Sequence, residues 1–105
     1  MATENKRLLL ELDKTIREIN REVINPRVAE LTLDDLCPVM RLVAKARADY
    51  LEAMFEVAEA VGDGQPSQDQ LKKLRYLRLS FEELREGAQA METAIERGYL
   101  DVSRG

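Results

Sequence analysis

The fold class follows from residues 67–97, which read SQDQLKKLRYLRLSFEELREGAQAMETAIER. Apolar side chains recur in this stretch at alternating steps of three and four, the spacing that puts them on one face of an α-helix. They are Leu74, Leu77, Phe81, Leu84, Ala88, Met91 and Ile95. Ser67 and Gln70 have the spacing of a capping box, and Gly98 is placed to end the helix. The pattern predicts one helix over about 67–97.

Two more helices are predicted on the N-terminal side, bounded by Asn25-Pro26 and by the GDGQP segment at 62–66. The first covers about 3–24, with Thr3 as its cap and an apolar seam of Leu9, Leu12, Ile16, Ile19 and Val23. The second covers about 32–61, starts with a capping box of Thr32 and Asp35, and contains Pro38, which we expect to kink it or delay its regular part. Its apolar face consists of Leu36, Val39, Met40, Val43, Ala46, Tyr50, Met54, Val57 and Val61, widened by Leu51, Phe55 and Ala58.

The loop between the second and third helices has about five residues, and a loop that short makes the two helices antiparallel neighbours. We therefore predict a single all-α domain over 1–105, an antiparallel three-helix bundle with a long hairpin of helices two and three. The apolar pair Tyr99-Leu100 could fold back onto the last turn, as commonly accompanies a glycine cap.

Composition excludes several kinds of chemistry. The 105 residues include no His and one Cys, with 34% charged residues, 45% hydrophobic residues and a net charge of −4. Without His there can be no Ser-His-Asp triad, no Cys-His pair, no zinc site of the Cys/His type and no Glu-x-x-His di-iron site. We predict no enzymatic activity and no cofactor, and we interpret Glu52, Glu56 and Glu59 as a solvated acidic stripe rather than a metal site.

The same composition bears on location. Cys37 cannot form an intrachain disulfide, which fits a reducing compartment. The apolar run Leu8-Leu9-Leu10 is too short for a signal-peptide core, and no run approaches the length of a membrane span. We predict a soluble, cytoplasmic protein that does not bind membranes.

Two charge clusters of opposite sign flank the predicted loop. The acids Glu52, Glu56 and Glu59 precede it, and the bases Lys72, Lys73, Arg75 and Arg78 follow it. Each cluster lies at the helix end where the helix dipole disfavours its sign, so we expect the two clusters to face each other. The alternative is a nucleic-acid patch. An acidic chain with few stacking residues disfavours it.

One basic residue lies within the apolar face of the second helix: a helical wheel places Arg47 between Val43 and Met54. A charge at that position must pair, extend its head to water or bind a ligand. Asp13 or Glu92 could pair with it, and Asn20 could supply a hydrogen bond. The other interpretation is that Arg47, together with Arg78 or Arg85, contacts an anion or a carboxylate of a partner. Arg47 and Arg85 are thus candidates for a buried ion pair or an anion contact.

The third helix has apolar or small residues opposite its seam, at Tyr76, Leu79, Gly87, Ala90 and Ala94, interrupted by Glu83. A simple three-helix bundle would have charges there. Gly87 costs about 1 kcal/mol relative to Ala in a helix interior, so close approach of another helix could offset it. We predict that this stripe binds a partner or a second copy of the chain.

The leading hypothesis is a non-enzymatic helical protein–protein interaction module, such as an adaptor, regulator or small chaperone. It would form a homodimer that completes a larger bundle, or bind another protein. The alternative is a small helical enzyme or sensor that holds an anionic ligand through Arg47, Arg78 and Arg85. A nucleic-acid-binding helical protein is a third, less favoured possibility.

Overall fold

The computed structural model describes residues 2–28 and 30–104. In chain order its elements are α1 (Ala2–Ile24), β1 (Leu31–Thr32), α2 (Leu33–Val61), α3 (Gln68–Glu96) and β2 (Val102–Ser103). The predicted all-α class is confirmed, and each end of the three helices lies within one residue of its predicted position.

Capping boxes begin both long helices. At α3, the Ser67 N–H donates to Gln70 Oε1 at 2.8 Å and the Gln70 N–H donates to Ser67 Oγ at 3.1 Å. At α2, the Thr32 N–H donates to Asp35 Oδ2 at 2.8 Å and the Asp35 N–H donates to Thr32 Oγ1 at 3.2 Å. These bonds satisfy backbone donors that a helix leaves unpaired at its N-terminus. α2 then continues through Pro38 without interruption.

Glycines end the same two helices. Gly62 has φ of 54° and Gly98 has φ of 75°, in the left-handed region that side chains with a Cβ avoid. After Gly98 the chain turns back, and the Tyr99 N–H donates to the Ala94 carbonyl oxygen at 2.8 Å. This six-residue bond is typical of a helix that ends at a glycine in a Schellman motif.

The chain divides into two compact units. One consists of the chain up to Leu36 together with the segment from Met91 onward, and the other is Cys37–Ala90. The described residues form three helices. Their assembly into an antiparallel bundle stays a prediction.

In the first unit, the tail after α3 folds back as expected, and Leu100 is only 6% exposed. The sequence did not predict that this tail pairs with the segment before α2. β1 and β2 form a short parallel pair in which Leu31 lies opposite Val102 and Thr32 opposite Ser103. The Leu31 N–H also donates to the Asp101 carbonyl oxygen at 3.2 Å.

In the second unit, the least exposed face of α2 forms an inner seam of Val39, Val43, Ala46, Tyr50, Ala53 and Val57, and Ala53 replaces the predicted Met54. The α3 seam over this range is the predicted one: Leu74, Leu77, Phe81, Leu84 and Ala88 are buried or half-buried. Met40 and Met54 were predicted on the buried face and are exposed instead. Helices pack along a strip of period 3.5, which is narrower than the arc that a wheel at 100° per residue outlines.

Candidate functional site

The apolar seam of α1 is exposed to solvent. Its five residues, Leu9, Leu12, Ile16, Ile19 and Val23, are between 39% and 64% exposed. A strip of large aliphatic side chains at heptad spacing, left open along a whole helix, is typical of a surface that binds another helix.

Polar contacts join α1 to the rest of its unit. Arg21 donates to the Gly98 carbonyl oxygen at 2.8 Å and forms an ion pair with Asp101 at 2.8 Å. Asp13 pairs with Arg97 at 3.4 Å. Because these side chains lie off the α1 seam, the contacts fix the helix without covering the apolar strip.

The Arg21–Asp101 pair also has an electrostatic signature. Hydrogen bonding and charge attraction from Arg21 hold the pKa of the Asp101 carboxyl below its ordinary value. The same two causes, from Asp101, raise the pKa of the Arg21 guanidinium. Both shifts favour the charged forms, so the pair is intact at neutral pH.

A second strip follows α2 beside its inner seam and is exposed except at its last residue, Val61, which is half-buried. We call it the outer seam, and it also alternates steps of three and four: Cys37, Met40, Ala44, Arg47, Leu51, Met54, Ala58 and Val61. Its large members Met40, Leu51 and Met54 are 44% to 50% exposed. The spacing of this strip is visible in the sequence, but the helical wheel assigned its residues and those of the inner seam to one broad apolar face.

Arg47 belongs to this outer seam, beside the buried face of α2. Its side chain is exposed, and its guanidinium carbon lies 5.0 Å from the centroid of the Phe81 ring. Arg85 reaches the same ring, at 5.4 Å, and is exposed as well. Over residues 2–28 and 30–104, no ion pair includes either arginine. The two are brought together by an aromatic ring rather than by a carboxylate.

The predicted stripe on the back of α3 is mostly exposed. Tyr76 and Leu79 are 70% and 49% exposed, and Gly87 and Ala90 are exposed too. Ala94 is 8% exposed and is not available on this surface. The chain that turns back after Gly98 covers the last turn of α3, where Ala94 lies.

The two charge clusters come together only in part. Lys73 lines an open surface cavity together with Glu52, Glu56 and Asp49. Within the described ranges no ion pair joins the acidic cluster to the basic one, and Arg78 pairs with Glu82 of its own helix at 3.5 Å. Proximity between the clusters is therefore limited to the Lys73 region.

The described residues contain no group of three or more Cys, Asp or Glu placed to hold a metal ion. In the same residues, none of the helices is both long and apolar enough to cross a lipid bilayer. Comparison of the chain with protein-family models, with curated proteins and with solved structures finds no match.

Proposed function

We propose that this chain is a non-enzymatic helical protein–protein interaction module that assembles with itself. The observation that carries the proposal is the open α1 seam, a heptad strip of five large aliphatic residues at 39% to 64% exposure. The proposed assembly is a larger antiparallel bundle to which each copy contributes its three helices. An adaptor, a regulator or a small chaperone would each use such a surface.

The size of the strip indicates how much more surface is needed. Burying the exposed half of a Leu or Ile side chain stabilises an assembly by about 1 kcal/mol. Five such residues on each of two copies contribute about 10 kcal/mol, which is similar to the free-energy cost of association, about 4 to 15 kcal/mol. The α1 seam alone would give weak association. The outer seam of α2 is the second apolar strip that can strengthen it.

A charged residue introduced into the α1 seam tests this proposal. We expect the molar mass of the wild-type protein, measured by light scattering over a wide concentration range, to rise to twice that of one chain. Ile16→Asp should hold the protein at the mass of one chain, because an ionised carboxylate in the seam cannot be desolvated cheaply. Lys14→Asp is the matched control on the same helix and should leave the mass unchanged.

The outcome that contradicts the proposal is a wild-type protein with the mass of one chain at every concentration. Helical circular dichroism of Ile16→Asp should match that of the wild type. If Ile16→Asp loses helical signal, the same mass measurement is made on Ile19→Asp.

A second candidate function is binding of a soluble anion by a helical sensor or enzyme. The observation that favours it is the convergence of Arg47 and Arg85 on the Phe81 ring. A titration with inorganic phosphate, followed by NMR shifts of the two arginine side chains, tests it. Saturable shifts that Arg85→Met abolishes would support this function.

A cytoplasmic location is part of the proposal. The only cysteine, Cys37, is exposed on α2, and an exposed thiol is kept reduced in that compartment.

A further inference from the structure

Two exposed strips with the same period lie on this chain, one in each unit. The α1 seam and the α2 outer seam both advance by alternating steps of three and four residues. Helices with such strips pack along them, since a seven-residue repeat keeps each strip facing its partner. The two strips are therefore geometrically suited to each other.

Arg47 favours a partner helix with a negative charge at the outer seam. It is the only charged member of that strip, and it shares the Phe81 ring with Arg85. The two guanidinium carbons can be no further apart than the sum of their distances to the ring. Two cations that contact the same ring make this part of the strip positive, and a carboxylate matches the planar guanidinium fork. The helix that binds here should carry a carboxylate at the edge of its apolar strip.

α1 has one carboxylate that fits this description. In a seven-residue repeat the contact is flanked by the residues that follow Leu12 and Ile19 and by those that precede Leu9, Ile16 and Val23. The acids at these positions of α1 are Asp13 and Glu22. Asp13 is engaged by Arg17 and Arg97 at 3.2 and 3.4 Å. Glu22 is exposed and lies beside Val23 at the C-terminal end of the strip. Within the described residues it forms no ion pair.

The lengths of the strips set the direction of packing. Leu9 and Glu22 are 13 residues apart, and Arg47 and Val61 are 14 residues apart. Both separations correspond to about 20 Å along a helix. With Glu22 at Arg47, an antiparallel α1 would place Leu9 at Val61. It would then cover the outer seam from Arg47 to Val61, which is longer than the part from Cys37 to Arg47.

We propose that α1 of a second copy lies antiparallel on the α2 outer seam, with its Glu22 carboxylate bound by Arg47 and Arg85. The inference rests on the proposed self-assembly and names the surface that performs it. In a two-fold dimer the contact is made twice, since each copy supplies one α1 and one outer seam. In such a dimer the α1 of each copy covers the outer seam of the other copy.

Charge reversal with rescue tests the contact. Glu22→Arg and Arg47→Glu should each weaken dimerisation by about tenfold or more, since each places like charges together. The double variant Glu22→Arg/Arg47→Glu should recover most of the wild-type dimer affinity, measured by analytical ultracentrifugation. Glu18→Arg and Lys45→Glu are matched controls, with the same kinds of charge change at positions that do not flank either strip, and should leave the affinity unchanged.

Two results would overturn the inference while leaving self-assembly in place. One is an unchanged affinity in Glu22→Arg when Ile16→Asp abolishes the dimer. The other is a double variant no better than the single ones. If Ile16→Asp itself has no effect on a wild-type dimer, the proposed role of the α1 seam fails, and the inference fails with it.

Disulfide trapping distinguishes a second copy from the same chain. A Leu9→Cys/Cys37→Ser protein is mixed with a heavier, tagged Val61→Cys/Cys37→Ser protein, and the mixture is oxidised. We expect a disulfide-linked dimer of one untagged and one tagged chain, whose mass lies between those of the two possible homodimers. A tagged wild-type protein, which retains Cys37 at the opposite end of the outer seam, is the control and should not cross-link to the Leu9→Cys protein.

The inference would be overturned by a cross-link to Cys37 in place of the Val61→Cys thiol. It would also be overturned if a chain carrying both Leu9→Cys and Val61→Cys formed only an intramolecular disulfide. A third contrary result is saturable binding of inorganic phosphate at Arg47 and Arg85 together with an unchanged dimer affinity in Glu22→Arg, which would make the pair a site for soluble anions.

Discussion

The guanidinium of Arg21 lies 2.8 Å from the carboxylate of Asp101, 80 residues further along the chain. This contact, between α1 and the turn before β2, joins two parts of the first unit that the sequence keeps far apart. Both side chains are exposed, so the ion pair contributes little to the free energy of unfolding. Its main effect is to fix the position of α1 relative to the segment before β2.

Stability should fall in acid. The pKa values of Asp101 and Asp35 are lowered in the folded protein by hydrogen bonds, from Arg21 and from Thr32 respectively. Their contribution is complete above the ordinary aspartate pKa of about 3.9 and is lost as the pH falls through the lower folded values. Urea denaturation at a series of pH values should show this decline, and Asp101→Asn should make it shallower.

Leu100 should be the most sensitive residue of the tail. It is 6% exposed, so Leu100→Ala leaves a cavity and should lower the free energy of unfolding by about 2 to 4 kcal/mol. Leu33→Ala is the matched control, because Leu33 is 62% exposed and should change it by less than about 0.5 kcal/mol. Chemical denaturation measures both. Equal effects would contradict the burial of the folded-back tail.

Two glycines in and after α3 should respond in opposite directions to alanine. Gly98 has φ of 75°, so Gly98→Ala should destabilise the protein by about 1 kcal/mol. Gly87 lies within α3 and an added Cβ would meet nothing within 4 Å, so Gly87→Ala should stabilise it by about 1 kcal/mol. Thermal denaturation at a concentration where the protein has the mass of one chain separates the two. Stabilisation by Gly98→Ala would contradict the left-handed turn.

The cap of α3 should be measurable on its own. Ser67→Ala removes the acceptor for the Gln70 N–H and should cost about 1 kcal/mol of stability. Ser80→Ala, in the middle of α3, is the control and should cost little, since serine is a poorer helix former than alanine. A loss of the same size in Ser80→Ala would contradict the capping role of Ser67.

Arg47→Met should separate folding from assembly. The cation–π contact with Phe81 is worth about 0.5 to 1 kcal/mol at an exposed site, and methionine restores most of the apolar contact. We therefore expect an unfolding free energy close to that of the wild type and a weaker dimer. Denaturation at low concentration and sedimentation at high concentration measure the two properties. A Met variant with unchanged dimer affinity would show that Arg47 is only structural.

Local patterns were sufficient to predict the helices and their ends. Capping boxes at Thr32 and Ser67 and the glycine after α3 act over three or four residues, so the sequence around them contains the whole signal. The α3 seam was predicted correctly for the same reason. The delayed start of regular helix that Pro38 suggested is wrong, since α2 runs from Leu33 through Pro38 as one helix, and the kink stays a prediction.

The candidate site was predictable only in its parts. The sequence indicated Arg47, with Arg85, as a candidate ion pair or anion contact, and it placed Tyr76, Leu79, Gly87, Ala90 and Ala94 in a stripe opposite the α3 seam. The sharing of one ring by two arginines depends on where Phe81 lies, and the burial of Ala94 depends on the path of the tail. Neither can be read from the period of one helix.

By itself, the sequence determined three helices, their caps and the spacing of their apolar strips, because these are set by backbone hydrogen bonds and by neighbours within about one turn. Only the tertiary structure decided which strips are covered. The α1 seam and the α2 outer seam have the same pattern as the buried strips, yet they stay exposed. Burial of a strip is a property of the surface that meets it, and the ion pairs that α1 makes with the rest of its unit, through Asp13 and Arg21, lie off its seam.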